Sequence, residues 1–220
     1  MAATVGVVVF PGTNCEMDAV VAVERLGGDG RMLWPADDYL GGVDAVIVPG
    51  GFAHGAYLRP GAIARFSPMT GAVARFAADG GPVVGICNGF QVLTEAGLLS
   101  GALRKNTGLR FLCQPPLLRV APSASVLTSR ASAGTELSVP INHFEGNYTC
   151  DFETLTQLRD EDRIVLRYVD NPNGSVDDIA GVCSEGRNVV GLMPHPERAC
   201  DELLGSADGA VLIGSLLDAA

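Results

Sequence analysis

Residues 82–91 read Pro-Val-Val-Gly-Ile-Cys-Asn-Gly-Phe-Gln, and this stretch decides the fold. The apolar run at its start predicts a strand, and a helix-like pattern follows over 90–96. Between them, Cys87 stands in a Gly-x-Cys-x-Gly turn, the sequence form of a nucleophile elbow with cysteine in the serine position. The glycines allow a sharp turn, and the N–H groups and dipole of the next helix stabilise a thiolate and a developing oxyanion. The stretch therefore predicts attack of a thiolate on a carbonyl carbon.

The rest of the first half predicts a parallel sheet around this elbow. Apolar strand-like runs alternate with helical patterns, which is typical of an open, mostly parallel sheet with helices on both faces. The predicted strands are 5–10, 32–34, 45–48 and 82–84, and the predicted helices are 17–26, 72–78 and 90–96. Thr13-x-x-Glu16 matches a capping box at the start of the first helix.

The second half predicts a more antiparallel region within the same domain, which spans residues 1–220. The predicted strands are 111–120, 125–129, 137–141, 164–169, 179–182 and 189–193, with a helix at 152–158. Asp208 is a candidate cap for a last helix that carries Leu212, Leu216 and Ala219. The expected fold class is α/β, a single domain with some antiparallel strands in its second half.

Composition and charge restrict the class of protein. The chain has 220 residues, of which 47% are hydrophobic and 18% charged, as in a compact α/β protein. The net charge is −10 and no basic patch is visible, so we expect no nucleic acid and no anionic membrane as a partner. No apolar run approaches the length of a membrane span, and residues 1–4 carry no pattern that predicts a secretory signal.

Cysteine, histidine and lysine usage argues against several kinds of site. The six cysteines form no C-x-x-C pair, so we expect reduced thiols and a cytoplasmic location. The three histidines are far apart, which predicts no metal site. The single lysine, Lys105, does not follow a phosphate-loop pattern. We therefore expect no cofactor on this chain.

A thiol nucleophile needs a base, and the base needs an orienting group. Residues 193–198 read Met-Pro-His-Pro-Glu-Arg. Pro196 directs His195 towards extended geometry, in which positions i and i+2 face the same side. Glu197 can then fix the imidazole and leave its other nitrogen for Cys87. Taken alone, the motif is equally compatible with a proline-rich surface turn.

Other residues compete for these roles or complete them. His54 and His143 lie in glycine-containing loops, and spacing alone leaves both open as bases. Pro-Gly-Gly-Phe at 49–52 ends a predicted strand, where ligands gather in open α/β sheets. We expect the backbone N–H groups of Gly51 and Asn88 to face an oxyanion. An ordinary glycine turn is the alternative.

Three motifs together resemble the class I, triad-type glutamine amidotransferases: P-G-G-F at 49–52, G-I-C-N-G-F-Q at 85–91 and M-P-H-P-E at 193–197. Further stretches resemble the glutaminase subunits of phosphoribosylformylglycinamidine synthase, an enzyme of purine biosynthesis. They are F-P-G-T-N-C-E-x-D at 10–18, N-P-N-G-S at 171–175 and G-L-M-P-H-P-E-R at 191–198. The order and spacing fit across nearly the whole chain. The resemblance implies a flavodoxin-like fold.

The resemblance also implies roles for individual residues. It makes Cys87 the nucleophile of a triad that His195 and Glu197 complete. It adds Gly51 and Asn88 as oxyanion donors and Gln91 as part of the glutamine pocket. The implied partners are L-glutamine, a large ATP-dependent synthetase subunit that would hold ATP and Mg²⁺, and a small accessory subunit.

One segment departs from the family pattern. Family members tend to have His-Gly-Glu-Gly-Arg-aromatic, whereas residues 143–148 read His-Phe-Glu-Gly-Asn-Tyr. Phe144 thus replaces a glycine and Asn147 an arginine. We expect the thiol chemistry to be unaffected and the contacts of this loop to differ, and we expect the loops 50–55 and 143–148 to be mobile until a partner sets them.

Two alternatives come from other functional classes. A DJ-1/PfpI-like hydrolase or chaperone also uses an elbow cysteine, but M-P-H-P-E and Gln91 argue against it. A non-catalytic regulatory module would not need an intact set of Cys87, His195 and Glu197.

Overall fold

The computed structural model describes residues 2–10, 12–51 and 67–220. Its strands are β1 (Thr4–Val8), β2 (Asp29–Leu33), β3 (Ala45–Val48), β4 (Val83–Ile86), β5 (Ala102–Arg104), β6 (Leu112–Gln114), β7 (Leu117–Val120), β8 (Glu136–Ser138), β9 (Ile141–His143), β10 (Asn147–Thr149), β11 (Ile164–Tyr168), β12 (Ile179–Cys183) and β13 (Val189–Leu192). Its α-helices are α1 (Glu16–Arg25), α2 (Pro68–Ala78), α3 (Asn88–Glu95), α4 (Phe152–Asp160) and α5 (Gly209–Ala219). Short 3-10 helices occupy Val176–Asp178, Pro196–Arg198 and Glu202–Leu204. Among the helices described, none has the length and apolarity to cross a membrane.

One nine-stranded sheet has the order β2-β1-β3-β4-β13-β12-β11-β7-β8. The strands from β2 to β13 in this order pair in parallel. The pairings from β13 to β8 are antiparallel. Two small antiparallel pairs, β5 with β10 and β6 with β9, lie outside this sheet. The predicted α/β class is confirmed, with its parallel strands and its antiparallel second half.

The centre of the sheet is buried on both faces. Every residue of β3, β4 and β13 is buried, and their sequences AVIV, VVGI and VVGL are continuous apolar runs, as expected of parallel strands between helices. α3 packs on β3, β4 and β13, while α5 contacts α1 and β3. This packing places residue 87 at the carboxyl end of β4, the edge where ligands gather in open α/β sheets.

Three strand predictions need correction. Residues 125–129 form a turn in which Thr128 Oγ1 accepts the N–H of Ser125 at 2.9 Å and donates to the carbonyl of Ser123 at 2.7 Å. Such local side-chain bonds compete with strand pairing. Residues 111–120 and 137–141 each contribute to two strands instead of one. The breaks fall at Pro115-Pro116 and at Pro140, which have no N–H to donate to a ladder.

The predicted capping box of the first helix is wrong. Thr13 Oγ1 accepts the N–H of Phe10 at 2.9 Å, and α1 begins one residue after its N-cap, Cys15. The helix start is instead tied to the sheet, because the N–H groups of Asn14 and Cys15 donate to the carbonyl of Gly50 at 3.3 and 3.2 Å. A backbone carbonyl just after β3 has thus taken the place of a capping side chain.

The last helix begins where predicted, but its cap acts differently. Asp208 is the N-cap of α5 without a side-chain bond to the helix. Its carboxylate accepts the N–H of Ser138 at 2.7 Å, so it joins the helix to β8.

Candidate active site

The elbow holds Cys87 at the N-terminus of α3 in an unusual backbone conformation. Its φ of 53° and ψ of −108° lie in a region that residues with a side chain rarely adopt. Its N–H donates to the carbonyl of Leu192 at 2.8 Å, and its carbonyl accepts the N–H of Gln91 at 3.2 Å. A side chain at Gly89 would overlap the carbonyl oxygen of Val48, so only glycine fits where α3 meets β3. The turn therefore carries the thiol to the end of β4, as the sequence pattern predicts.

His195 and Glu197 form a buried hydrogen-bonded pair. Nδ1 of His195 lies 2.6 Å from Oε1 of Glu197, and the two residues are 1% and 4% exposed. His195 has φ −104° and ψ 84°, outside helical geometry as Pro196 predicts. Glu197 itself lies in the 3-10 helix Pro196–Arg198, so the two side chains meet across a turn rather than along an extended segment.

The charges around His195 favour its protonated form. Burial opposes the imidazolium, but the Glu197 carboxylate and a negative charge on Cys87 raise the pKa of His195 well above its usual value. Nε2 of His195 is buried and has no hydrogen-bond partner within the described ranges. The pair can therefore hold a proton next to a thiolate nucleophile, with one ring nitrogen left for the reacting group.

The end of β3 forms a third side of the site. A Cβ atom on Gly50 would lie 2.9 Å from Cε1 of His195 and 3.3 Å from Cβ of Cys87. The next residue, Gly51, packs against Gly12 and accepts a hydrogen bond at its carbonyl from the side-chain amide of Asn88. The structure thus brings Gly51 and Asn88 together next to the elbow.

For three further residues named in the sequence analysis, the structure leaves the predicted role untested. Gln91 is 2% exposed, and its Nε2 donates to Oε1 of Glu95 at 3.3 Å, a bond that runs along α3. Its place in a glutamine pocket stays a prediction. Phe52 of the P-G-G-F motif and the competing base His54 lie outside the described residues.

His143 is buried near the site in surroundings that do not suit a base. Its Nδ1 lies 3.1 Å from Oδ1 of Asn106. Burial and the positive charge of His195 lower the pKa of His143 to about 4. The thiol of Cys87 lies 3.9 Å from the backbone carbonyl of Asn142, the residue before His143. This geometry favours His195 over His143 as the base.

The N-P-N-G-S stretch anchors the loop 143–148. Asn173 Nδ2 donates to the carbonyl of Gly146 at 2.8 Å, and its Oδ1 accepts the N–H of Ser175 at 3.0 Å. Ser175 Oγ accepts the N–H of Tyr148 at 3.0 Å. Buried polar groups thus contact this loop, and its mobility in the absence of a partner stays a prediction. The other loop expected to be mobile, 50–55, lies mostly outside the described residues.

Sequence reasoning missed two residues that lie behind His195. Arg198 Nη2 donates to Sγ of Cys15 at 3.0 Å, and Arg198 Nε donates to Oδ2 of Asp18 at 3.1 Å. Cys15 is 3% exposed. Both residues belong to motifs that carry the family resemblance, at 10–18 and 191–198, but nothing in the sequence indicates that positions 183 residues apart meet.

Cys15, His195 and Glu197 also have metal-binding atoms within 4.8 Å of one another. Each of these residues already uses one such atom, because Sγ of Cys15 accepts from the guanidinium of Arg198 and Nδ1 of His195 is bonded to Oε1 of Glu197. A guanidinium at the sulfur also repels a cation. The absence of a metal therefore stays our prediction, and these contacts support it.

Comparison with known proteins shows the family of this chain. Residues 2–208 match the family model of the CobB/CobQ-like glutamine amidotransferase domain. The phosphoribosylformylglycinamidine synthase subunit PurQ of Rubrobacter xylanophilus is 60% identical over 213 residues, which cover 97% of each chain. The subunit of the same name from Cereibacter sphaeroides is 55% identical over 212 residues, which cover 96% of each.

A solved structure shows the same fold. A chain in the structure of PurLQS from Thermotoga maritima superposes with a TM-score of 0.90 at 41% sequence identity. The match covers 99% of both chains.

Proposed function

This chain belongs to the CobB/CobQ-like glutamine amidotransferases and, among them, to the PurQ subunits of phosphoribosylformylglycinamidine synthase, and from this premise we propose how its site works. It is thus a glutamine amidotransferase of purine biosynthesis. We propose that it hydrolyses L-glutamine through a thioester on Cys87. The observation that carries this proposal is that Cys87 at its elbow and the buried pair of His195 and Glu197 lie together at Gly50.

The first half-reaction releases ammonia. The Cys87 thiolate attacks the side-chain carboxamide carbon of glutamine, a C–S bond forms, and the carbonyl oxygen becomes an oxyanion. We propose that the N–H groups of Gly51 and Asn88 hold this oxyanion and that Gln91 lines the glutamine pocket. His195, kept protonated by Glu197, gives its proton to the departing nitrogen. The C–N bond breaks, and ammonia leaves a γ-glutamyl thioester.

The second half-reaction restores the site. His195 is now neutral and removes a proton from water, whose oxygen attacks the thioester carbon. The C–S bond breaks, glutamate leaves, and the thiolate and the protonated imidazole are restored. The sum is glutamine plus water giving glutamate plus ammonia.

Ammonia must then reach an acceptor on another chain. In neutral water it is mostly protonated and not nucleophilic, so it requires a protected path. We propose that the acceptor site lies on a large ATP-dependent synthetase that converts formylglycinamide ribonucleotide to formylglycinamidine ribonucleotide, with a small accessory subunit in the complex. ATP and Mg²⁺ belong to that partner, since this chain has no phosphate loop. The solved relative in PurLQS supports such an assembly.

Substitution of the nucleophile tests this division of labour. Cys87→Ala in the assembled complex should abolish synthesis from glutamine and leave synthesis from added ammonium salt within about twofold of wild type. Cys183→Ala is the matched control, because Cys183 is also buried but lies on β12. Loss of both activities in a complex that still assembles would refute the proposal. Retention of glutamine-dependent synthesis would also refute it.

A further inference from the structure

The N-terminus of α1 holds the peptide that joins Gly50 to Gly51. The Gly50 carbonyl accepts two backbone hydrogen bonds, from Asn14 at 3.3 Å and from Cys15 at 3.2 Å. None of the described peptide bonds is cis, and in a trans peptide the N–H points opposite to the preceding carbonyl. The Gly51 N–H is therefore fixed in the direction away from α1. Turning this peptide over would break both bonds.

Cys15 is in turn held by its side chain. Its thiol donates to Oδ1 of Asn14 at 3.3 Å and accepts from Nη2 of Arg198 at 3.0 Å. The same guanidinium binds Asp18 at 3.1 Å, so Arg198 contacts α1 at two points. Because Arg198 closes the 3-10 helix that begins after His195, these bonds join the start of α1 to the segment of the histidine.

Gly50 lies between the start of α1 and the residues of the proposed catalytic site. A Cβ atom on Gly50 would lie 2.9 Å from Cε1 of His195, 3.3 Å from Cβ of Cys87 and 3.4 Å from Sγ of Cys15. The thiol of Cys15 thus lies beside the same glycine as the proposed nucleophile and base, although the mechanism does not use it.

We propose that Cys15 and Arg198 are positioning residues that hold the Gly50–Gly51 peptide in the orientation that binds the oxyanion. Arg198 fixes Cys15, the backbone N–H of Cys15 fixes the Gly50 carbonyl, and the Gly51 N–H follows. The inference rests on the proposed function and deepens it, because it names the residues that prepare the oxyanion site.

The test is steady-state glutaminase kinetics of the chain assembled with its synthetase. Complete loss of one oxyanion donor costs about 10²–10³ in kcat. Arg198→Gln and Cys15→Ala only loosen the donor, so each should lower kcat about tenfold and leave KM within about twofold. The double variant should also lose about tenfold rather than a hundredfold, since both residues act through one peptide. Cys15→Ser keeps a donor and an acceptor and should recover most of the rate.

A second readout separates positioning from general damage. Alkylation of Cys87 by iodoacetamide forms no oxyanion, so its rate should stay within about twofold in every variant while kcat falls. Arg25→Gln is the matched control, because Arg25 binds Asp201 at 2.5 Å from the last turn of the same helix. This variant should keep its kcat.

Several outcomes would overturn the inference. Wild-type kcat in Arg198→Gln would do so, and so would a higher kcat, which would mean that the held orientation is the inactive one. A parallel fall in kcat and alkylation rate would indicate a merely structural role. Failure of the proposed function would give a different result, because the wild-type complex itself would then use ammonium salt but not glutamine. The inference would be refuted together with the proposed function.

Discussion

Nδ1 of His195 lies 2.6 Å from Oε1 of Glu197, and both side chains are almost fully enclosed by protein. Glu197 thereby fixes the ring and determines which nitrogen remains for the thiol. Its negative charge also opposes the effect of burial, so the pKa of His195 stays well above its usual value. Orientation and charge are thus two separable contributions of one carboxylate.

Glu197→Gln should separate these contributions. The amide can still orient the ring, so glutaminase kcat should fall by about 10–10³ rather than being abolished. Without the carboxylate charge, burial lowers the pKa of His195, and the imidazolium that protonates the departing nitrogen is lost at a lower pH. The alkaline limb of the kcat profile should therefore move to lower pH. The measurement is kcat against pH for wild type and variant in the assembled complex, and an unmoved limb would show that Glu197 does not set the proton affinity of His195.

A glutamine-analogue electrophile should label Cys87 and no other cysteine. Burial raises the pKa of the Cys200 thiol to about 12 and, together with neighbouring carboxylates, raises that of Cys150, while burial also raises that of Cys183. Cys113 is exposed but lacks the elbow, so it should react with small reagents such as iodoacetamide without being selected by the analogue. Peptide mass mapping after labelling identifies the site.

Cys113→Ser is the control for the labelling experiment. It should remove the background reaction with iodoacetamide and leave labelling by the analogue unchanged. Labelling centred on Cys15 or Cys113 with Cys87 unmodified would contradict the assignment of the nucleophile.

The backbone conformation of Cys87 should destabilise the folded protein, and a glycine at this position should remove the strain. A residue with a side chain at φ 53° and ψ −108° destabilises the folded state by about 1–3 kcal/mol. Glycine avoids this strain, but it loses more conformational entropy on folding than alanine does, which costs about 0.5–1 kcal/mol. Cys87→Gly should therefore unfold with a free energy about 1 kcal/mol higher than Cys87→Ala. The alanine variant is matched, because both lack the thiol and both are inactive with glutamine. Urea titration compares them, and equal free energies would show that the elbow is not strained.

The elbow and the central strands could be predicted because local pattern determines them. The run at 45–48 is β3 as predicted, and the glycines around Cys87 require the turn that is found. Predictions failed where a partner distant in sequence decided the outcome. Thr13 is not a cap because the donors at the start of α1 already bind Gly50.

The catalytic pair and its support differ in the same way. His195 and Glu197 are two residues apart, so a motif can reveal them, although the turn that joins them was predicted as extended. Cys15 and Arg198 meet only because α1 and the 3-10 helix after β13 pack together. No propensity or spacing along the chain encodes that packing.

The N-P-N-G-S stretch should stabilise the loop 143–148 specifically. Asn173→Ala removes the acceptor for the buried Ser175 N–H and the shorter of two donors to the Gly146 carbonyl, which keeps only Ser175 Oγ at 3.3 Å. The free energy of unfolding should fall by about 1–3 kcal/mol. Hydrogen exchange at the amides of Gly146 and Tyr148 should become faster by a larger factor than in the core strands, because the loop loses its own anchor.

Asn188→Ala is the matched control for this substitution. Asn188 Nδ2 also makes two hydrogen bonds to backbone, to the carbonyls of Ala77 at 2.8 Å and Gly81 at 2.9 Å, but it lies before β13 and away from the loop. It should lower the free energy of unfolding without a selective change at Gly146. Equal exchange at Gly146 in the two variants would mean that Asn173 supports the fold as a whole. In that case another contact would have to hold the loop 143–148. The first to test is the one between Nζ of Lys105 and the Phe144 ring, whose centroid lies 5.7 Å away.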